Sequence, residues 1–143
     1  MTDLNKILSR QDYIKMTKSL REKCDTLEEI ISSKMVDLEI CDKNNSIIVN
    51  GMRIFCISEH LFIRTPEYED SHCSEYRSVN SSADDGVSYV YYEDSLCFVR
   101  TPCSNRRALA FLNNAVAIIE KLGEIEQKKV ELIEQAIDAT KNL

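Results

Sequence analysis

Apolar residues recur every three or four positions from Ser104 to the end of the chain, and this pattern constrains the fold more than any other feature. That spacing places them on one face of an α-helix. The apolar positions are Leu109, Leu112, Ala115, Ile118, Ile119, Leu122, Ile125, Leu132, Ile133, Ala136 and Ile137. Because Ser104 is a favourable residue at a helix start, the pattern predicts one long helix over residues 104–143, with a bend at Gly123.

The second half of this predicted helix carries a narrower, coiled-coil-like seam, which Lys129 interrupts. An apolar helix face is stable in water only when another surface covers it. We therefore expect the chain to form a homo-oligomer through its C-terminal helix.

A second helical pattern covers residues 1–34. Its apolar positions include Leu20, Cys24, Leu27 and Ile31, which again recur at intervals of three and four. We expect an N-terminal helix here, packed antiparallel on the C-terminal helix or on one face of a sheet.

Between the two helices the apolar period changes to two, which is typical of β-strands. Val36, Leu38 and Ile40 alternate with polar residues, and Asn50-Gly51 is a typical type I′ hairpin turn. Residues 35–103 are therefore expected to form an antiparallel meander of about six strands. A polar, acidic loop over residues 67–86 is expected to interrupt it.

Two of the predicted strands end in the same tripeptide, Arg-Thr-Pro, at residues 64–66 and 100–102. Proline is common at strand ends because it cannot donate a hydrogen bond to a neighbouring strand. The repeat is therefore either a coincidence of ordinary strand ends or the trace of two similar hairpins. The second interpretation places Arg64 and Arg100 at equivalent strand ends.

The expected architecture is a single α+β domain over residues 1–143. Its order of elements resembles the prefoldin α subunit, whose chains also place two hairpins between terminal coiled-coil helices. The resemblance covers the plan of the whole chain. The family's Gly-containing hairpin motifs do not occur in this sequence, so no activity is transferred from it.

The composition argues against several functional classes. No apolar run approaches the roughly 20 residues needed to cross a bilayer, and the N-terminus has no signal-peptide pattern, so a cytoplasmic protein without a membrane partner is expected. The six cysteines are then expected to be free thiols. No cysteine or histidine pair has typical zinc-ligand spacing, so neither metal nor cofactor is expected. The sequence also lacks the common catalytic motifs, which indicates a protein that is not an enzyme.

Basic and hydroxyl side chains surround the predicted start of the C-terminal helix. Helix N-termini and arginines both favour anions, and two arginines in a first helical turn oppose the helix dipole unless an anion compensates them. The pattern predicts a site for a phosphate-bearing small molecule, or alternatively ion pairs between the arginines and the acidic loop. The predicted ligand-binding residues are Arg64, Arg100, Thr101, Ser104, Arg106 and Arg107.

The excess of acidic over basic residues, 24 against 18, is concentrated in residues 67–94. Carboxylates there would repel a phosphate backbone, so general nucleic-acid binding is not expected. Asp84, Asp85, Glu93 and Asp94 are either part of a solvated loop or a contact for a basic protein partner, whose association they would accelerate.

Two functions are expected from these features. The first is a small non-enzymatic, oligomeric binding protein that acts on a macromolecular partner as a chaperone, adaptor or inhibitor; a compact acidic chain also suits an inhibitor of phage or mobile-element origin. The second is a protein that binds or sequesters a nucleotide or cyclic nucleotide.

Overall fold

The computed structural model describes residues 10–40, 45–57, 60–64, 76–78, 87–92, 95–100 and 105–143. The helices are α1 (Arg10–Asp37), α2 (Arg106–Asn113) and α3 (Ala115–Thr140), and the strands are β1 (Ile47–Val49), β2 (Met52–Ile57), β3 (His60–Arg64), β4 (Tyr76–Ser78), β5 (Val87–Tyr92) and β6 (Ser95–Arg100). None of the helices in these ranges is long and apolar enough to cross a membrane.

The hydrophobic core lies where the three helices meet β1, β2 and β3. Its completely buried members include Cys24 and Met35 of α1, Phe111 of α2 and Ile118 of α3. Arg21 of α1 contacts the residue that precedes α2, whereas Lys34, further along α1, contacts Glu126 of α3. The N- and C-terminal helical segments therefore run in the same direction where they meet, and not antiparallel.

The strand predicted at residues 36–41 is wrong, because the described residues there, 36–40, form the end of α1 and its cap. The amide of Ile40 donates to the carbonyl of Met35, and the amide of Glu39 donates to that of Val36. Glu39 has a φ of 64°, so the three residues after the helix form a Schellman motif. Leu38 and Ile40 are buried, and a buried apolar residue at the position of Ile40 frequently accompanies this motif, whereas Val36 is 46% exposed. The alternation therefore arises from a helix cap.

The hairpin predicted at Asn50-Gly51 is confirmed. Both residues have positive φ, 50° and 78°, as a type I′ turn requires, and Val49 pairs with Met52 on either side. Strands β2 and β3 pair antiparallel, with Phe55 opposite Phe62. Those two buried rings stack with their centroids 5.6 Å apart, which fixes the register of the central hairpin.

The predicted meander is wrong in the strands that compose it, because its first strand is a helix cap and its polar loop contains β4, although the broad α+β class is confirmed. The antiparallel sheet that forms the core with the helices has three strands, β1, β2 and β3. Further strand pairing follows the chain from β3 through β4 and β5 to β6. Of these, β4 lies inside the segment predicted as the polar loop 67–86, and β5 and β6 lie at the predicted second hairpin.

The single C-terminal helix predicted over residues 104–143 is also wrong, because it is interrupted at Asn114. The side-chain amide of Asn114 donates to the carbonyl of Ala110 at 2.8 Å, and its side-chain oxygen accepts from Asn50 at 2.7 Å. Asparagine side chains compete with the backbone for hydrogen bonds and so favour helix ends. The interruption ties the α2–α3 junction to the β1–β2 turn, and α3 continues through Gly123.

Candidate functional site

The C-terminal helix α3 carries two apolar stripes with different environments. The inner stripe, defined as Ala115, Ile118, Leu122 and Ile125, is buried or partly buried against the body. The outer stripe lies beside it at the same heptad spacing. It consists of Ile119, Gly123, Glu126, Val130, Ile133 and Ile137.

The large apolar residues of the outer stripe are exposed. Ile119 is 49% exposed, Val130 40%, Ile133 59% and Ile137 61%. Isolated exposed apolar residues are ordinary, but Val130, Ile133 and Ile137 occupy three successive coiled-coil positions, which is typical of a protein-binding surface. The outer stripe is therefore the candidate interaction surface of this molecule.

Helix α3 extends well beyond the helix that covers its first half. The ammonium of Lys34 lies 2.7 Å from the Glu126 carboxylate, and α1 ends shortly after this ion pair, at Asp37. Helix α3 continues to Thr140, about 21 Å past Glu126 at 1.5 Å per residue. Every residue over 130–143 is exposed, so the projecting half presents its apolar face to solvent.

A groove of about 600 Å³ separates α1 from α3 beside the outer stripe. Ile31 and Leu122 form its buried floor, and the exposed side chains of Ile30 and Ile119 also line it. At Gly123 an added Cβ would have no described atom within 4 Å. The groove is therefore open at this glycine, and its polar lining is Glu29, Ser33, Lys34, Asp37 and Glu126.

A second cleft, of about 510 Å³, lies where α1 approaches β3 and contains an unusual carboxyl group, Glu28. Burial, reinforced by the neighbouring charge of Asp25, raises the pKa of Glu28 to about 8, although the backbone amide of Leu61 donates to it and acts in the opposite direction. Its Oε2 atom is buried without a hydrogen-bond partner among the described residues. Glu28 is therefore mostly a neutral acid at pH 7. The cleft is lined by Asp25, Glu28, Glu29, Ser32, Ser33, Val36, Asp37 and His60.

This cleft does not have the features of a metal centre or a nucleophilic site. Across the ranges that the structure describes, no three His, Cys, Asp or Glu side chains are placed to hold a metal ion. Burial, and secondarily the charges of Glu28 and Asp25, raises the pKa of the nearby Cys24 thiol to about 12. A thiol with that pKa is not a nucleophile at neutral pH.

A buried arginine of α1, Arg21, lies beside the start of α2 and is not among the residues predicted from the sequence. Arg21 is 4% exposed, and its Nη2 donates to the side-chain oxygen of Asn105 at 2.9 Å. The Asn105 amide in turn donates to the Tyr13 hydroxyl at 3.4 Å. Arg106 is exposed and Arg107 is half-buried in the first turn of α2. Three arginines therefore lie at or near this helix N-terminus.

Arg21 and Glu28 have a common sequence signal. Both belong to the heptad series 21, 24, 28, 31 and 35 of α1, whose other members, Cys24, Ile31 and Met35, are buried. A charged residue at a core position of a heptad is a candidate for a specific structural or functional role. This signal is easily missed, because Leu20 and Leu27 directly precede Arg21 and Glu28 and fit the helical period as well.

The structure does not bring all the predicted site residues together. Arg64 ends β3, opposite Arg53 of β2, and Arg100 ends β6, opposite Val87. The pairing from β3 through β4 and β5 to β6 is antiparallel at each step, so β6 runs opposite to β3 and Arg100 lies at the other end of the strands from Arg64. The predicted pair of equivalent arginines therefore lies at opposite ends of paired strands. Thr101, Ser104 and the acidic residues Asp84, Asp85, Glu93 and Asp94 lie outside the described residues.

Comparison with known proteins identifies no relative. No family model matches the chain, and no significant match was found among curated proteins or solved structures. A functional conclusion therefore depends on the chemistry of the surfaces described above.

Proposed function

We propose that this chain is a small, non-enzymatic protein-binding protein of the cytoplasm, and that the outer stripe of α3 is its binding surface. The observation that carries the proposal is the exposure of Ile119, Val130, Ile133 and Ile137 at coiled-coil spacing on a helix that projects from the body. A macromolecular partner acted on as a chaperone, adaptor or inhibitor would bury these side chains.

The energetics favour a protein as the ligand of this surface. Burying an exposed isoleucine contributes roughly 1.5–3 kcal/mol, so a handful of them supply binding energy that a solvated polar surface does not. The stripe is too long and too flat for a small molecule, because ligand pockets enclose most of their ligand. The helix-in-groove mode of recognition uses this spacing of anchors.

The proposal is tested with two variants of equal charge change. Ile133→Glu/Ile137→Glu places two carboxylates on the outer stripe, whereas Gln135→Glu/Asn142→Glu places two on other exposed positions of the projecting segment. The full-length proteins serve as bait, and bound proteins are quantified after chemical cross-linking. We expect the stripe variant to lose the specific partners that the wild type and the control variant retain. Equal recovery by all three proteins would contradict the proposal.

A second candidate function is binding of a phosphate-bearing small molecule at the start of α2. The observation that favours it is the buried Arg21 guanidinium next to Asn105, with Arg106 and Arg107 in the following turn. Guanidinium groups and a helix N-terminus both favour phosphate. This second proposal does not place Arg64 and Arg100 together on one ligand.

A thermal-shift screen against nucleotides, cyclic nucleotides and inorganic phosphate tests this candidate. A ligand at 100 times its Kd stabilises the fold by about 2.7 kcal/mol. We expect the shift to disappear in Arg106→Ala/Arg107→Ala and to persist in Lys128→Ala/Lys129→Ala, which removes two positive charges elsewhere. A screen without any shift would eliminate this candidate.

A further inference from the structure

We infer that the partner of the outer stripe is the outer stripe of a second copy of this chain, running antiparallel, with Ile133 of each protomer seated over Gly123 of the other. The inference rests on the proposed function, since it takes the outer stripe as the binding surface and names its occupant.

Reversing the stripe against itself places a large side chain opposite the glycine and an apolar side chain opposite the glutamate. In antiparallel coiled coils the a positions of one helix pack beside the d positions of the other. Here that rule pairs Ile119 with the partner's Ile137, Gly123 with the partner's Ile133, and Glu126 with the partner's Val130. The two residue numbers of each pair add up to the same value, so one twofold axis relates all three pairs.

Gly123 carries the strongest part of the inference. Glycine weakens a helix interior relative to alanine, so its presence in the middle of α3 needs a compensating reason. The fold of one described chain supplies none, because a Cβ at this position would have no atom within 4 Å. In the antiparallel pair the open groove at Gly123 receives a large branched side chain, the partner's Ile133, which is 59% exposed in one protomer.

A parallel pair would not use these residues in this way. Parallel pairing aligns each stripe position with itself, so that Gly123 would oppose the partner's Gly123 and leave a void. The carboxylate of Glu126 would also oppose the partner's Glu126. The antiparallel arrangement puts an apolar residue, the partner's Val130, opposite that carboxylate, and Lys34 of the same protomer already compensates its charge at 2.7 Å.

The arrangement is also continuous with the interface that exists within one chain. The groove at Gly123 is lined on its α1 side by Ile30, which is 57% exposed. The partner's Ile137, placed opposite Ile119, would enter the same groove. The paired layers extend over about 27 Å of helix, so each projecting half would be covered by the partner's groove.

The experiment measures self-association of the full chain by sedimentation velocity, from low to high micromolar concentrations. We expect the wild type to be a dimer that Ile133→Glu/Ile137→Glu converts to a monomer. Gly123→Leu should weaken the dimer by about tenfold or more, because the new side chain fills the seat of the partner's Ile133. The monomer has room for this leucine, so its circular dichroism and its melting transition should show an intact fold. Gln135→Leu, at an exposed position on the face of the same helix opposite the outer stripe, is the matched control and should leave the dimer unchanged.

A size exchange tests the register directly. Adding Ile133→Ala to Gly123→Leu exchanges the large and small partners of one layer, and we expect this double variant to recover most of the dimer affinity. A dimer that Gly123→Leu leaves unchanged or tightens would overturn the antiparallel pairing. Tightening is the result expected of a parallel pair, in which the two leucines would fill the void between the two copies of position 123.

The outcomes separate this inference from the proposed function. A wild type that is monomeric at every concentration overturns the inference, while specific partners captured through the same stripe would leave the proposed function standing. A wild-type dimer that is lost in Gly123→Leu and recovered in the double variant supports the inference, whether or not a further partner is captured.

Discussion

Replacing Glu28 by glutamine should stabilise the protein at neutral pH, and the gain should grow as the pH rises. Glu28 lies at a heptad core position of α1, where burial raises its pKa from 4.5 to about 8. In the unfolded chain the same carboxyl is ionised above about pH 4.5 and fully hydrated. Folding at neutral pH must therefore either protonate this group or desolvate its charge, and glutamine removes that cost while it keeps an oxygen for the Leu61 amide.

The sign and size of the effect follow from proton linkage. A carboxyl whose pKa is raised by folding does not lower the free energy of unfolding at a pH below its unfolded pKa. The free energy of unfolding then decreases as the pH rises from the unfolded pKa to the folded pKa. Between pH 4.5 and about 8 the loss is about 1.4 kcal/mol per pH unit. The cost at pH 7 is then about 3 kcal/mol, of which we expect at least half to be measurable because part of the side chain reaches solvent.

The assay is urea unfolding of the wild type and Glu28→Gln at several pH values from 4.5 to 9. We expect equal free energies of unfolding near pH 4.5, a difference that widens in favour of the variant up to about pH 8, and a constant difference above it. Glu29→Gln, which changes an exposed carboxyl of the same cleft, should show no such widening. A difference for Glu28→Gln that does not vary with pH would refute the argument that this carboxyl is protonated in the folded protein.

Three further predictions concern the helix ends and the buried thiol. Glu39→Gly should stabilise the fold by about 1 kcal/mol in a urea titration, because Glu39 occupies the left-handed region at φ 64°. Glu39→Ala is the control and should not raise the free energy of unfolding. A gain in both variants would mean that loss of the glutamate side chain, and not the backbone conformation, causes the effect. Asn105→Ala should cost about 1–3 kcal/mol of unfolding free energy, because it removes an acceptor from the buried Arg21 guanidinium, whereas Asn113→Ala at the other, exposed end of α2 should cost clearly less. Cys24 should not react with a thiol reagent in the folded state at pH 8, since its pKa is about 12. The wild type and Cys24→Ala should therefore give the same number of fast-reacting thiols. One fewer fast-reacting thiol in the variant would contradict this prediction.

The sequence predicts those elements whose signals are local. The Asn50-Gly51 turn is recognisable because few residue pairs adopt positive φ twice in succession, and strands β2 and β3 follow from the apolar segments on either side. The helical stripe of α1 is recognised for the same reason. Local signals of this kind do not depend on what the rest of the chain does.

The errors arise where one pattern has two physical causes. Leu38 and Ile40 are buried two residues apart because a Schellman motif turns the chain back on the core, and this spacing is identical to that of a strand. Asn114 interrupts the C-terminal helix by binding the β1–β2 turn, which depends on a tertiary contact that no local pattern contains. The segment predicted as a polar loop similarly acquires β4 by pairing with β3 and β5.

The candidate site was only partly accessible from the sequence. The expectation that the C-terminal helix needs another surface follows from its apolar seam, and the exposure of Ile133 and Ile137 supports it. The division into an inner and an outer stripe does not follow from the sequence, because it depends on which face α1 covers. Neither do the roles of Arg21 and Glu28, because a leucine adjacent to each of them fits the helical period equally well.

The two ionisable residues in the interior of α1 and the apolar residues on the outside of α3 are consistent with one physical account. An isolated helical segment of about a dozen residues is marginal in water, and the projecting half of α3 has exposed side chains on all sides. Its helical state is therefore most stable when another surface covers the outer stripe. Within α1, by contrast, the Arg21 and Glu28 side chains reach elements remote in sequence, Asn105 and the Leu61 amide, which fixes the position of α1 and so exposes the groove at Gly123. These two interior side chains thus help to determine which face of α3 is covered by α1 and which face stays exposed.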